Sequence, residues 1–386
     1  MRVPFVNYKQ SYRILRYEID KAIKNCLKGG DLILRKDVEE FEQRVARMVK
    51  MRYAVGLNSG TDALFLALKA LNIGTGDEVI TTSYTFIATI AAIVNVGAMP
   101  VLVDVDERGL MDLEWVKKNL TSRTKAIIPV HMNGEVVDIK KLKEIAKVKV
   151  RKYKVKGLSE ELTAVVPVDY IREIPIIEDS AQAFGVKTTA DGIIKCFSHY
   201  PAKMLGCYGD GGSLATSDKN IAERIKVLRD NAQKRLKGGQ KIEEALMVEF
   251  GYNSRLDNIQ AAILNVKIKH FKQHLKRRYE IVRMYNRGLK LKRSSPQNYI
   301  YMTPQRDDLK RYLATKGIET LVRDQIPNHK HPGLGFEPIN LPMTDRFAME
   351  AIALPLYPEL TNNQVKYVIN KVKKWEKYVR TKILSR

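Results

Sequence analysis

One lysine, Lys203, stands in the stretch from Phe197 to Gly212, between a predicted strand and a glycine-rich turn. An amine held rigidly and partly desolvated there can carry a Schiff base. Most lysines are solvated surface groups, so this one gains meaning only from its company. Two other stretches supply it. From Asn58 to Asp62, again between a strand and a helix, Gly60 permits close backbone approach, and Ser59 or Thr61 can cap the helix. The free N–H groups of such a start suit a phosphate, although an ordinary capped helix reads the same way. From Ile177 to Gln182, Asp179 directly follows an apolar run and so lies at the carboxyl end of a parallel strand, where open α/β folds bind ligands.

A carboxylate beside a buried strand requires a cationic partner. A protonated pyridinium nitrogen would supply one and keep the ring an electron sink, whereas a helix cap is the plainer use of an Asp in that place. Gln182 faces the same way if the segment turns helical. Ser198, five residues before Lys203, sets a hydroxyl at a strand end within reach of the anion that Gly60 and Thr61 approach. An anion cradle, an acid and a lysine on successive units of one parallel sheet are jointly specific for pyridoxal phosphate.

The elements that position these residues follow from the alternation of short apolar runs with amphipathic ones, which argues for a mostly parallel, doubly wound sheet. Strands are predicted at 53–57, 78–82, 100–105, 126–130, 174–178, 195–199 and 213–216. Helices are predicted at 61–71, 85–96, 113–120, 139–147 and 220–231, preceded by an extended start at Val3 to Val6 and helices at 12–26 and 38–49. The basic, β-branched segment from Val148 to Glu173 interrupts this rhythm and is predicted as an inserted hairpin or surface excursion. A long helix from Ser254 to Leu289 leads into a smaller α+β unit. We divide the chain into a large domain at 1–265 and a small C-terminal domain at 266–386.

Composition excludes several functions. The 386 residues, 45% of them hydrophobic, can bury a large core. The formal charge of +24 invites a nucleic-acid reading, yet Lys and Arg are spread along the chain. The dense clusters Lys147 to Lys156 and Lys267 to Arg278 read as a loop or edge strand and a solvated helix face. With no zinc finger, RNA-recognition signature or aromatic-interleaved basic arm, no nucleic-acid partner is expected, and anionic small substrates such as sugar nucleotides suit the charge equally. Three scattered cysteines and six histidines, of which only His329 and His331 are close, form no disulfide framework and no metal site. The apolar window from Phe86 to Val103 is interrupted by Asn95, Gly97 and Pro100, so no membrane span is expected. The first ten residues carry no signal-peptide core, and a cytoplasmic location is expected.

At this point the chain resembles a known family. The residues that carry the likeness are Val3 to Val6, Ser59 to Leu64, Gly76 to Ile80, Tyr84 to Thr89, Ile128 to His131, Glu178 to Ala183, the Lys203 stretch, Tyr252 to Asp257, Gly317 to Thr320 and Leu354 to Pro358. Together they are similar to the DegT/DnrJ/EryC1/StrS sugar aminotransferases, members of the aspartate-aminotransferase fold group. The resemblance implies a three-layer α/β/α domain with a seven-stranded sheet and pyridoxal phosphate as cofactor. It implies that Lys203 forms the Schiff base and shuttles the proton, that Asp179 pairs with the ring nitrogen, that Gln182 bonds the ring hydroxyl and that Phe86 stacks on the ring. Ser59, Gly60, Thr61 and Ser198 would hold the phosphate, with Asn253 reaching in from a second subunit, which implies a homodimer. Tyr84, His131 and His329 would line the sugar side, a buried hydrogen-bonded role being the alternative for Tyr84 and His131. Arg255 would either meet an anionic group of a substrate or anchor the start of the long helix.

The activity implied is transfer of an amino group, from L-glutamate, to a keto group of a nucleotide-linked sugar in aminosugar and polysaccharide biosynthesis. Sugar dehydratases of the same fold carry histidine where Lys203 stands, and a basic binding protein that keeps only the fold is the rival from another class. The chain departs from the family pattern in four places. Met132 and Asn133 replace the aromatic after His131, His199 replaces a usual Phe, the 148–173 insertion is atypical, and Val322 to Gln325 replaces a His-Tyr-Pro whose surrounding loop survives in Pro327, His329 and Pro332.

Overall fold

The computed structural model describes residues 1–157, 163–189, 191–235, 245–247, 249–323 and 325–384. In chain order the elements begin with α1 (Tyr8–Gly29), α2 (Lys36–Val49), β1 (Tyr53–Leu57), α3 (Gly60–Ala70), β2 (Glu78–Thr82), α4 (Ile87–Asn95), β3 (Met99–Val103), α5 (Leu113–Asn119) and β4 (Thr124–Ile128). They continue with α6 (Ile139–Ile145), β5 (Lys147–Gly157), β6 (Thr163–Glu173), β7 (Ile177–Asp179), β8 (Ile194–Ser198), β9 (Gly212–Thr216), α7 (Lys219–Leu228), β10 (Gln233–Arg235) and β11 (Ala245–Met247). The chain closes with α8 (Asn258–Leu289), β12 (Tyr299–Met302), α9 (Arg306–Thr315), α10 (Pro342–Glu350), β13 (Ala351–Leu354) and α11 (Asn362–Leu384).

Strands β2 and β9 are buried along their whole length, and a strand covered on both faces reads as an unbroken apolar run rather than an alternation. They assemble as a four-stranded sheet, order β1-β9-β8-β7, and a three-stranded sheet, order β3-β2-β4. Parallel bridges from Ile127 to Ile176 and from Val130 to Asp179 join the two along β4 and β7. The sheet is therefore mostly parallel, as expected, except for β9, which runs antiparallel to both β1 and β8. Helices α3, α4 and α7 cover one face through a core that includes Leu66, Ile93, Ile177 and Leu214. Helices α2 and α8 cover the other through Phe41, Val45, Leu264 and Phe271.

Three boundaries differ from the sequence reading for identifiable reasons. Helix α1 runs from Tyr8, capped by the Asn7 side chain, to Gly30, whose left-handed φ of 67° ends it. Helix α4 starts two residues late because Phe86 takes an extended conformation as its N-cap. Helix α8 starts at Asn258 rather than Ser254, since the Ser254 N–H bonds Arg229 O and its hydroxyl bonds Asp62 instead of continuing the helix.

The segment 148–173 is a hairpin, as predicted: β5 and β6 pair antiparallel from Lys147 and Glu173 out to Gly157 and Thr163, and residues 158–162 at its tip lie outside the described residues. Ile174 N–H bonds Ala146 O at 2.8 Å, so the excursion leaves and re-enters at one point between α6 and β7. The C-terminal elements build their own apolar cluster around Tyr285, Tyr299, Leu309, Ile352 and Val368. Val3 joins it from the start of the chain by bridging to Ile318. Helix α8 runs unbroken through residue 265 and contributes to both this cluster and the sheet-covering one. Among the described residues no helix is long and apolar enough to cross a membrane.

Candidate active site

The carboxyl ends of β1, β2, β7 and β8 open on one cavity of about 530 Å³. Its wall includes Ser59, Gly60, Thr61, Phe86, Asp179, Gln182, Ser198 and Lys203. The parallel topology alone brings these together, because each lies just beyond a strand end.

The cradle forms where α3 begins against the end of β8. A Cβ on Gly60 would lie 2.7 Å from Ser198 Cβ, closer than real side chains approach, so glycine alone lets the two segments meet. The Ser59 hydroxyl accepts from Asp62 N–H at 3.1 Å. Gly60 and Thr61, in the first turn of α3, keep N–H groups with no acceptor among the described residues, at the positive end of a helix dipole. Two orphan donors beside the Ser198 hydroxyl fit a phosphate.

Asp179 is almost fully buried. One oxygen accepts from the Thr89 hydroxyl at 2.7 Å and the other from Ala181 N–H at 3.1 Å, while the Asp179 backbone is held by Pro129 O and by His131 N–H. No described cation forms an ion pair with this carboxylate, which is the condition a protonated ring nitrogen would relieve. Phe86 leaves 56% of its surface exposed, an aromatic face available for stacking.

Lys203 follows in the loop after β8, and burial is the main force lowering its amine to about 8. The Arg323 charge lowers it further and the Asp179 charge opposes both. A second lysine in the wall, Lys267, is also lowered to about 8 by burial. The two are not equivalent. Lys267 Nζ donates to Gly206 O at 2.6 Å and lies 3.8 Å over the Tyr208 ring, whereas Lys203 Nζ has no hydrogen-bond partner among the described residues. An uncommitted, desolvated amine within the field of a buried carboxylate has the properties a nucleophile of this cavity needs.

His199, the departure beside Ser198, clamps the lysine loop. Its Nδ1 bonds Leu205 O at 2.9 Å and its Nε2 bonds the Ser213 hydroxyl at 2.8 Å. Its backbone N–H bonds Gly211 O, and its carbonyl accepts from Cys207 N–H. The ring meets Phe41 and Phe184 edge-on, so it retains the aromatic packing of a Phe while tying both ends of the loop. Burial pushes it down to about 4, and it stays neutral.

The Met132 and Asn133 departure is also explained. Gln182 Oε1 accepts from Asn133 N–H at 3.0 Å and its amide donates to Met132 Sδ at 3.2 Å, while Asn133 Oδ1 accepts from Asn298. The segment after β4 thereby fixes Gln182 at the cavity wall.

Five expected residues are not brought to the cavity. His131 is fully buried, its Nε2 2.8 Å from Glu178 and its Nδ1 accepting from Val137 N–H, so the expected sugar-side contact gives way to a buried clamp. Tyr84 is buried with its ring centroid 4.9 Å from Phe347, on a smaller cavity behind the main one. His329 is buried against Ser83, which meets both its Nδ1 and its backbone N–H. Arg255 pairs with Asp230 at 2.8 Å and anchors the segment before α8, the structural alternative of its two readings. Asn253 is exposed, bridged to Asp230, and does not line this chain's own cavity.

Other wall residues were missed. Lys267, His274 and Arg278 were read as a solvated helix face, but they line the cavity with Arg278 almost fully buried. Their spacing of seven and four residues puts all three on one side of α8, a signal present in the sequence and masked by the surrounding basic residues. Arg278 donates to Pro296 O and Leu356 O. Asn298 and Arg323, from the C-terminal part, carry no sequence signal of their own beyond the altered motif.

Known proteins are similar to this chain along nearly its whole length. A dTDP-3-amino-3,4,6-trideoxy-alpha-D-glucose transaminase of Streptomyces venezuelae is 35% identical, over 98% of this chain and 97% of its own. A UDP-2-acetamido-2-deoxy-3-oxo-D-glucuronate aminotransferase of Pseudomonas aeruginosa is 32% identical over 95% and 98%. The crystal structure of Streptomyces venezuelae DesV in complex with a ketimine intermediate superposes with a TM-score of 0.84 at 34% identity, over 97% and 98% of the two chains. A sequence profile described as the DegT/DnrJ/EryC1/StrS aminotransferase family matches residues 13–150 and 153–373, breaking only inside the β5–β6 hairpin. The chain belongs to the DegT/DnrJ/EryC1/StrS aminotransferase family and is an aminotransferase with pyridoxal phosphate as its cofactor.

Proposed function

We propose that the enzyme moves an amino group from L-glutamate to a keto carbon of a nucleotide-linked sugar, in the biosynthesis of an aminosugar for polysaccharide. The observation that carries this is the uncommitted Lys203 amine, lowered to about 8, in one cavity with the unpaired Asp179 carboxylate and the orphan N–H groups of Gly60 and Thr61. Those N–H groups, with Ser59 and Ser198, would hold the phosphate. Asp179, its carboxylate fixed by Thr89, would keep the ring nitrogen protonated, and Phe86 and Gln182 would orient the ring. When bound, pyridoxal phosphate supplies the electron sink for the bond broken at the donor carbon. Lys203 Nζ takes the proton from that carbon and returns it on the other side of the transfer, a role suited to a base whose pKa lies near the working pH.

Both named relatives carry the amine or keto group at carbon 3 of their sugars, so 3-keto sugars linked to dTDP and UDP head the assay, followed by 4-keto sugars. Expected is one 2-oxoglutarate formed per aminosugar, dependent on both substrates. A dehydratase would release the nitrogen as ammonia beside the 2-oxoglutarate and yield a deoxy-keto sugar with no aminosugar, and a binding protein would produce none of these.

We further propose a cytoplasmic homodimer in which residues 1–265 and 266–386 act as two units sharing α8 and enclosing the cavity. Tyr8 and Tyr12, one turn apart on α1, present an exposed aromatic surface, Tyr8 itself lying in the cavity wall. A second copy covering that surface would bring its exposed Asn253 toward the phosphate cradle.

A further inference from the structure

The segment from Val322 to Gln325 replaces a motif that the family resemblance led us to expect, and its arginine has no assigned task. Arg323 is partly buried and lines both the main cavity and the smaller one bounded by Tyr84, Asn298 and Phe347. It forms no hydrogen bond through its side chain and no ion pair with any described residue. Apart from Lys203, the nucleophile candidate, the strong bases of the wall differ: Lys267 is engaged by Gly206 O and the Tyr208 ring, and Arg278 by the carbonyls of Pro296 and Leu356. None of the wall's acids, Asp179, Asp210 and Glu359, forms an ion pair with it. Asp179 is bonded to Thr89 and Ala181 N–H, and Glu359 exerts its field on Lys267 and Arg278 at the α8 side. Its guanidinium is left open to the cavity, and its planar fork matches a carboxylate with two parallel hydrogen bonds.

We propose that Arg323 reads a carboxylate on a substrate, on the Lys203 side of the cavity. The cofactor phosphate already has its donors at the start of α3 and at Ser198, so it is not the anion in question. Lys203 acts at the carbon that bears the amine, and in an α-amino acid a carboxylate is bonded to that same carbon. A keto sugar oxidised to the acid at its terminal carbon would present the same group from elsewhere on its ring. The proposal rests on the aminotransferase reading and specifies its substrates.

Arg323→Gln and Arg323→Lys are compared with the wild-type holoenzyme on two matched pairs. L-Glutamate and 4-aminobutyrate differ only in the α-carboxylate. A nucleotide-linked 3-keto uronate and its uncharged 3-keto hexose differ only in the sugar carboxylate. In one pair, kcat/KM for the member bearing the carboxylate in question relative to the member lacking it falls roughly 10- to 100-fold in Arg323→Gln, the range for losing a hydrogen bond to a charged group, and Arg323→Lys restores part of it. The pair that responds names the source of the carboxylate. A purely structural role would lower both members of both pairs alike and overturn the proposal, as would ratios unchanged within about twofold at a difference of under half a kcal/mol. Should Arg323→Gln fail to load cofactor, the wild-type ratios decide: an enzyme indifferent to the carboxylate in both pairs has no such reader. A wild-type protein silent with every pair overturns the aminotransferase reading and this one together, whereas an active one whose ratios survive the substitution overturns this one alone.

Discussion

Replacing His199 by the Phe that the family resemblance led us to expect tests how the lysine loop is held. The imidazole is fully buried, bonded to Leu205 O at 2.9 Å and to the Ser213 hydroxyl at 2.8 Å. His199→Phe leaves both groups buried without a partner, about 1–3 kcal/mol each, and adds volume between Phe41 and Phe184. A loss of roughly 2–5 kcal/mol at neutral pH follows. The pH dependence is sharper still. Burial lowers the folded His199 from 6.5 to about 4, so the fold holds it neutral while the unfolded chain binds a proton between those values. Stability is therefore fully present above pH 6.5 and declines as pH falls from 6.5 to 4, by about 3 kcal/mol from this residue. Urea unfolding of cofactor-free wild type and His199→Phe at pH 7.5, 5.5 and 4.5 measures both effects. The variant is expected to be weaker at pH 7.5 and to lose less on acidification, its residual slope coming in part from His274, which burial also holds near 4. A variant as stable as wild type at pH 7.5, or one with the full acid slope, would refute the clamp.

Three further outcomes are expected. In Gly60→Ala the new Cβ meets Ser198 at 2.7 Å, and a strain of about 1–3 kcal/mol at the cradle raises the pyridoxal phosphate Kd by roughly 10- to 100-fold in an absorbance titration. In cofactor-free protein, acylation of Lys203 followed by peptide mass spectrometry rises with pH around a midpoint of about 8 rather than 10.5; Arg323→Gln removes a positive neighbour and moves that midpoint upward. Mixing inactive Lys203→Ala chains with Asn253→Ala chains of lowered activity restores turnover above the sum of the two alone, since one hybrid cavity then holds both residues. No restoration after verified subunit exchange would remove Asn253 from the site.

The scaffold was legible because its strands are apolar runs placed between amphipathic helices, and because Asp179, Ser198 and Lys203 fall directly after such runs. The antiparallel direction of β9 was not legible. Its pairing with β1 joins Leu57 to Gly212 across most of the large domain, and no local pattern encodes a strand's direction. His131 and His329 show a different limit. Both sit in motifs that mark the family, yet which way a histidine faces is decided by Glu178 and Ser83, supplied by other segments. Lys267, His274 and Arg278 show the reverse. Their common face on α8 was readable from spacing, but a basic helix looks solvated until the cavity it borders is known.

The account turns on which amine of the cavity carries the cofactor. Borohydride reduction of the loaded enzyme, proteolysis and mass mapping measure this directly. The expected result is a pyridoxyl adduct on Lys203, absent from Lys203→Ala together with transamination. An adduct on Lys267, the other lysine lowered to about 8 in the same wall, or full turnover by Lys203→Ala, would contradict it.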